Sequence, residues 1–514
     1  MSLKPKFPLM FPNSQLLSHK VSIGNKNQQS VGTTSQMFVR LLICILLALV
    51  SERTVAAAPN IVFILADDLG INDLACYGRR EHHTPNLDQL ARDGMRFTAS
   101  YCAQPICSPS RAAILTGQTP ARLRLTTYLP GRTNTPSQKL LHPVINQQLA
   151  LRELTLAELF KTNGYVTACV GKWHLGGKGF LPTDQGFDLH HPGVPTTKPG
   201  ENEGGKGEYD LTRAAFGFIE TNRARPFLLY LAHNSPHIPY SAKKELVDKN
   251  RNTFEPAYAG VIESLDDSVG LLLRALDTHG LRTNTIVIFT SDNGGLHVPE
   301  GPHKRITDNS PFRAGKGFLY EGGLRVPLIV RWPGHVPAGR VVDMPVLNTS
   351  WFATLCELAE LKPPHDLEAP SFAPLCLGRT MSPTRIFWHF PHYTNQGGRP
   401  GGAVRDGDWK FIVHYDAAVP ELYNLVTDVG ETQNLAAQNP ERAREMHGWL
   451  NAWIESVNAQ TNAPNPEFNH ALFRQLYEDI DVTRHVPTKA SSREHARLLK
   501  WRKQMNAVVP KPKK

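Results

Sequence analysis

Cysteine is scarce in this chain and does not pair off. Seven occur in 514 residues. Cys44 lies in an apolar run near the N-terminus and Cys107 in a motif treated below, which leaves Cys76, Cys102, Cys169, Cys356 and Cys376. An odd remainder argues against a disulfide framework holding the fold together. Long hydrophobic runs are missing too. The apolar run Leu41 to Val50 has ten residues, and no stretch reaches the roughly 20 that cross a bilayer, so no stable membrane insertion is expected. A basic body is also lacking. Of the net charge of +10, residues 1–58 carry +5 and residues 484–514 carry +9, so residues 59–483 are mildly acidic at −4. Binding of nucleic acid is therefore not expected, and any attraction for anions must be local to a pocket.

The N-terminus has the layout of a secretory signal. Arg40 precedes the run Leu41 to Val50, and Val55-Ala56-Ala57 follows a short polar stretch. Cleavage is expected near Ala57, giving a secreted or periplasmic protein. Residues 1–36 are rich in Asn, Gln and Ser and lack periodicity. They are either a disordered extension or upstream of the true start, which could be Met1, Met10 or Met37.

The chain is organised around Cys107-Ser108-Pro109-Ser110-Arg111, continuing to Leu115-Thr116-Gly117. No histidine lies close by in sequence to serve as base for a cysteine nucleophile. Pro109 suits the first turn of a helix, and Ala112 to Leu115 are good helix formers, which puts Cys107 at a helix N-terminus. Backbone N–H groups there favour an anion, and Arg111, one turn in, adds a planar donor fork. C-x-P-S-R followed by L-T-G resembles the signature of the type I sulfatases, in the alkaline-phosphatase-like superfamily. The resemblance implies a large mixed α/β sheet sandwiched by helices, with a smaller C-terminal antiparallel sheet plus helix. It also implies that a formylglycine-generating maturation enzyme oxidises Cys107 to formylglycine.

Further motifs agree with this at other points along the chain. Asn60 to Leu65 reads as a strand buried on both faces, and it runs into Asp67-Asp68. Adjacent carboxylates at such a strand end are costly without a compensating cation. In the family this pair binds a divalent cation. Tyr165 to Val170 is a strand capped by Gly171-Lys172-Trp173-His174-Leu175-Gly176, which is similar to the family's second signature. Phe227 to Ala232 leads to Pro236-His237-Ile238-Pro239, matching P-H-x-P and favouring His237 over His233. Thr285 to Thr290 ends in Asp292-Asn293. Asp67, Asp68, Asp292 and Asn293 form an all-oxygen set suited to Ca²⁺ or Mg²⁺, with residue 107 beside it, and unsuited to zinc. Lys316 opens a stretch matching K-x-x-x-x-E-G-G-x-R-V-P, in which Glu321 and Arg325 read as structural supports.

The implied function is hydrolysis of sulfate esters on sulfated saccharides or aryl sulfates. Cys107, Arg111, Lys172, His174, His237 and Lys316 would be catalytic, with Asp292 as base. Lys172, His237 and Lys316 would also bind substrate, joined by a rim loop bearing His389 and His392. The alternatives are a phosphodiesterase or phosphonate monoester hydrolase of the same superfamily, or a silent binder of sulfated glycans should Cys107 stay unmodified. Four segments are expected: 1–57 extension and signal, 58–362 catalytic domain, 363–464 C-terminal subdomain and 465–514 a solvated basic tail. Arg385 to Phe390, Gly402 to Val413 and Glu421 to Leu425 read as the small sheet, Arg442 to Val457 as its helix, and residues 191–210 as a mobile loop.

Overall fold

The computed structural model describes residues 58–509, except 201–202, 304–305 and 364–366. The expected signal and cleavage point, and Cys44, lie outside the described residues. In chain order the strands are β1 (Asn60–Asp67), β2 (Met95–Tyr101), β3 (Leu140–Leu141), β4 (Val166–Gly171), β5 (Leu189–His191), β6 (Phe227–Pro236), β7 (Thr285–Ser291), β8 (Arg325–Arg331), β9 (Arg340–Val342) and β10 (Val346–Leu347). Then follow β11 (Ile386–Phe390), β12 (Gly401–Asp406), β13 (Trp409–His414), β14 (Glu421–Asn424) and β15 (Ala463–Pro464).

A nine-stranded sheet runs β10-β2-β8-β7-β1-β6-β4-β5, with β9 also on β2. β8 is antiparallel to both β2 and β7, and the other pairings are parallel. The mixed sheet is thus the one expected. β1 lies between β6 and β7, and every one of its residues is buried. Its side chains alternate between two cores, as a strand period of two requires. Val62 and Ile64 pack with the helices Pro85–Asp93, Glu208–Asn222 and Pro256–Thr278. Ile61, Phe63 and Leu65 pack on the other face with the helices Cys107–Thr116, Leu156–Thr162 and Trp351–Leu358.

The smaller sheet is antiparallel in the order β11-β12-β13-β14, with the helix Pro440–Ser456 against it. The single strand expected over 402–413 is a hairpin, because Gly407, at φ 57°, turns the chain between Asp406 and Trp409. The two sheets are joined through a buried charge cluster. Lys410 on β13 lies 2.9 Å from both Glu321 and Glu431, all three fully buried. Glu321 also accepts from Tyr101 of β2 at 2.7 Å and pairs with Arg325 at 3.0 Å. Glu321 and Arg325 are thus structural, as expected.

Two readings of the sequence are corrected. Residues 465–509 are not a solvated extension. Leu498, Trp501 and Met505 of the helix Ser492–Ala507 are buried in the first of the two cores, Trp501 donates to the Leu476 carbonyl at 2.9 Å, and Asn465 donates its N–H to the Lys139 carbonyl at 3.0 Å. The apolar face of this helix was masked in the sequence by the basic residues between its positions. The loop 191–210 is also anchored in its described part: residues 204–208 are buried and Glu208 opens a helix.

Replacing Lys410 with Met would leave two buried carboxylates without their shared cation. We expect a loss of about 3–5 kcal/mol, seen as a lower urea midpoint at unchanged slope. A second expectation concerns acid. Burial holds His233 and His389 down to about 4 and His297 down to about 3. The unfolded chain protonates these rings near pH 6.5 while the folded chain keeps them neutral. Stability should therefore be full above pH 6.5 and fall as the pH drops toward 4, by on the order of 1 kcal/mol per pH unit for each ring. A urea midpoint unchanged between pH 7 and pH 5 would contradict this.

Candidate active site

The site forms where the central strands end. β1 delivers Asp67 and Asp68, β4 delivers Lys172, β6 leads into His237, and β7 into Asp292 and Asn293. Ligands in open α/β sheets bind at such strand ends. Two non-glycine residues in this region take left-handed backbone, Asp68 at φ 64° and His174 at φ 59°. Such strain is held in place only by surrounding structure and concentrates at functional sites. Gly294 is required by close approach: a Cβ there would lie 1.9 Å from the Gly322 carbonyl oxygen, so the turn after β7 stacks on the Glu321-Gly322-Gly323 turn.

Cys107 is the first residue of its helix, with Ile106 as cap, and is 2% exposed. Its Sγ lies 3.5 Å from Asp67 Oδ1 and 3.9 Å from Asp68 Oδ1. Around them, cations and carboxylates interlock. Arg111, wholly buried, places Nη2 2.7 Å from Asp292 and 3.7 Å from Asp67, and donates Nη1 to the Lys172 carbonyl at 3.0 Å. Lys172 Nζ lies 2.5 Å from Asp67, and Lys316 Nζ 2.7 Å from Asp68. His237 Nε2 is 3.5 Å from Asp68, while its Nδ1 meets the Ile238 carbonyl at 2.6 Å. Three carboxylates thus face three fixed cations.

The electrostatics follow from this packing. Burial opposes the ionised form of Asp67 and Asp68, yet Lys172 for the first and Lys316 for the second overcome it and hold both below the usual carboxylate range. Asp292 is pushed up to about 6 by burial, with Arg111 pulling the other way. Burial also pushes the Cys107 thiol up, against Lys172 and Lys316, so the sulfur stays protonated at neutral pH. His174 is held down to about 3 by burial, with Lys172 adding to it. Its Nε2 donates to the Leu129 carbonyl at 3.1 Å, and its buried Nδ1 has no partner among the described residues.

The site brings together donors that could hold a metal ion. Asp67, Asp68, Cys107 and His237 bring ligand atoms within 4.8 Å of one another. Asn293 donates Nδ2 to Asp68 at 2.8 Å, and its buried Oδ1 has no hydrogen-bond partner among the described residues. An orphaned amide oxygen beside paired carboxylates is an acceptor left over by the protein, and a hard divalent ion would use it.

The structure therefore brings together Asp67, Asp68, Cys107, Arg111, Lys172, His237, Asp292, Asn293 and Lys316. His174 reaches the same group through Leu129, whose own N–H donates to Ser108 at 3.2 Å. Asp292, expected as base, pairs with Arg111 and accepts from the Asp68 N–H at 3.1 Å, while the Cys107 sulfur contacts Asp67 and Asp68. His389 and His392 are corrected as rim residues. They are 3% and 2% exposed, and all four ring nitrogens have partners: Tyr415 and the Gln460 carbonyl for His389, Thr126 and His142 for His392. One residue beside the site was missed. Lys206, 1% exposed, reaches Thr196 and the Pro239 carbonyl, each at 3.2 Å, and burial brings it down to about 8 against the field of Asp67. It comes from the glycine-rich loop, whose sequence has no pattern that would single it out.

Comparison with known proteins agrees with this geometry. The sulfatase family model matches residues 59–361, and the model of the N-sulphoglucosamine sulphohydrolase C-terminal region matches 314–459. N-acetylgalactosamine-6-sulfatase of Rattus norvegicus is 38% identical over 341 residues, which is 60% of this chain and 63% of that protein. Arylsulfatase A of Homo sapiens is 33% identical over 456 residues, covering 76% of this chain and 86% of its own. Among solved structures, Ps i-CgsB in complex with k-i-k-neocarrahexaose superposes with a TM-score of 0.67 at 29% identity, over 77% of this chain and 93% of that one. With the family model spanning more than half of its length and the strand-end cluster inside that span, the chain belongs to the sulfatase family.

Proposed function

We propose that this protein is a sulfatase that hydrolyses sulfate esters of saccharides outside the cytoplasm, with small aryl sulfates as surrogate substrates. One observation carries the reading: a buried cysteine at a helix N-terminus, its thiol held protonated, surrounded by three cations and three carboxylates. A protonated thiol is a poor nucleophile, and no histidine is hydrogen-bonded to it among the described contacts. The pocket suits a different group at position 107 and a tetrahedral oxyanion in front of it. The relatives named as sulfatases support the reaction class, and the neighbour in complex with k-i-k-neocarrahexaose supports a saccharide as the carrier of the ester.

Formylglycine at position 107, made by a maturation enzyme, would supply one hydroxyl to attack sulfur, its proton passing to Asp292, and a second to expel sulfate, while Ca²⁺ or Mg²⁺ would draw charge from the sulfuryl oxygens. Asp67, Asp68, Asp292 and Asn293 would hold the cation. Arg111 keeps Asp292 and Asp67 in place. Lys172 and Lys316 stand charged beside their carboxylates, ready to donate to sulfuryl oxygens, and fixed charge of this kind usually contributes more to such rate enhancements than any other single effect. Lys316 also donates toward the departing alcohol oxygen. His237, with Nδ1–H committed to the Ile238 carbonyl and Nε2 3.5 Å from Asp68, would take up a proton on Nε2 and deliver it to that oxygen. His174, held neutral by burial and with Nδ1 unpartnered among the described residues, would accept a hydrogen bond from the second hydroxyl, whose proton leaves with the sulfate. A phosphonate monoester hydrolase also shares the fold, at 20% identity and a TM-score of 0.60, but no observation on this site favours phosphorus over sulfur.

Two experiments test the reading. Intact-mass analysis of the Cys107 peptide should find the aldehyde or its hydrate in active enzyme. Cys107→Ala should lower turnover of an aryl sulfate by about a thousandfold or more while the melting temperature stays near wild type. An unmodified thiol in active enzyme would overturn the proposal, and an unmodified thiol in inactive enzyme would favour the silent glycan binder.

Removing divalent cations with a chelator should abolish turnover and lower the melting temperature, because the ion helps offset buried carboxylates. Added Ca²⁺ or Mg²⁺ should restore both in wild type but not in Asp67→Ala. Stoichiometric zinc in active enzyme would contradict the oxygen-ligand assignment.

A further inference from the structure

The two family models end at residues 361 and 459, yet the chain beyond them is linked to the catalytic cluster through a line of packed residues. In the helix Ser492–Ala507, Trp501 lies against Gly397, where an added Cβ would stand 2.9 Å from the indole. Arg502, 7% exposed, donates to the Asn395 carbonyl and lies 3.4 Å from Glu300. Glu300 accepts from Asn395 Nδ2 at 2.9 Å and from Gln396 Nε2 at 2.6 Å. The loop carrying these amides packs directly on the residue after Lys316. A Cβ on Gly398 would stand 1.9 Å from the Gly317 carbonyl oxygen, and one on Gly317 would stand 2.9 Å from Thr394 Oγ1. Gly317 also donates its N–H to the Pro105 carbonyl at 2.8 Å, two residues ahead of Cys107. Direct contacts thus run without a gap from the C-terminal helix to the Lys316 backbone and to the loop that delivers Cys107.

We propose that the C-terminal helix is part of the catalytic unit, with Arg502 as a positioning residue that fixes Lys316 through Glu300 and loop 394–398. The inference rests on the sulfatase reading above. Two physical effects make Arg502 matter. A shift of about 1 Å in a group that contacts the reacting centre can cost on the order of a hundredfold in rate, and Gly317 has no side chain of its own to resist a shift. Glu300 is also among the carboxylates whose field acts on Lys316. With Arg502 in place its charge is balanced. Without it, Glu300 competes with Asp68 and substrate for the Lys316 ammonium.

Full-length Arg502→Met, Arg502→Lys and Gln396→Leu would be compared with wild type on 4-nitrophenyl sulfate, with melting temperatures measured alongside. Arg502→Met and Gln396→Leu should lower kcat about tenfold or more with KM within about twofold. Arg502→Lys, which keeps the charge beside Glu300, should recover at least half of the lost rate. A folded Arg502→Met enzyme with kcat within twofold of wild type overturns the proposal. So does an equal loss in the Met and Lys variants that tracks a fall in melting temperature, since that is what a merely structural role gives. Should Arg502→Met not fold, Gln396→Leu decides, because it breaks the same line while leaving the tail docked. Wild-type enzyme without turnover of any sulfate ester overturns the sulfatase reading and this inference with it, whereas an active wild type with indifferent variants overturns this inference alone.

Discussion

Everything at this site depends on keeping three carboxylates buried at the ends of adjacent strands. Asp67, Asp68 and Asp292 are 1%, 4% and 0% exposed, and unpaired they would neutralise themselves by taking protons instead of staying ionised. The fold answers with cations from three separate segments: Arg111 from the helix behind, Lys172 from the end of β4 and Lys316 from the loop before β8. Each of them is itself a buried charge that needs the carboxylates. Neither set can be assembled without the other, so the sheet order that places β1 between β6 and β7 is also the order that makes the chemistry possible.

The same logic recurs away from the site. Lys410 between Glu321 and Glu431 locks the small sheet onto the large one with a single buried cation. Arg502 against Glu300 does the like for the tail. In each case a residue far along the chain supplies the counter-charge for one nearer the start. The peripheral parts are therefore fastened to the catalytic body by ionic contacts in its interior as well as by apolar packing.

Much of this was legible in the residue string. Asn60 to Leu65 followed by Asp67-Asp68, and Thr285 to Thr290 followed by Asp292, mark strand ends because an apolar run that stops at a carboxylate has few other readings. The helix at Cys107 could be read from Pro109 and the alanines after it. What escaped notice lacks local pattern. Lys206 sits in a loop without periodicity, and Glu300 and Arg502 gain meaning only from a contact across about 200 residues. The hairpin at Asp406-Gly407-Asp408 carried a turn signal that the hydrophobic residues on either side concealed. His389 and His392 misled because histidines beside a proline suggest an exposed rim, whereas tertiary packing has turned both rings inward.

The burial of Cys107 also constrains the order of events in the life of the molecule. The sulfur sits at the start of a helix whose ten residues are all buried, packed between β1 and the helix Trp351–Leu358. No second protein can grip this segment once the central sheet has closed over it. If Cys107 is converted as proposed, the enzyme that converts it would have to catch the newly made polypeptide while residues 107–117 are still extended, and so would compete in time with the collapse of the core. Slower closure of the sheet would widen that interval, and faster closure would narrow it, so the proportion of active molecules would be set by folding rate and not by final stability.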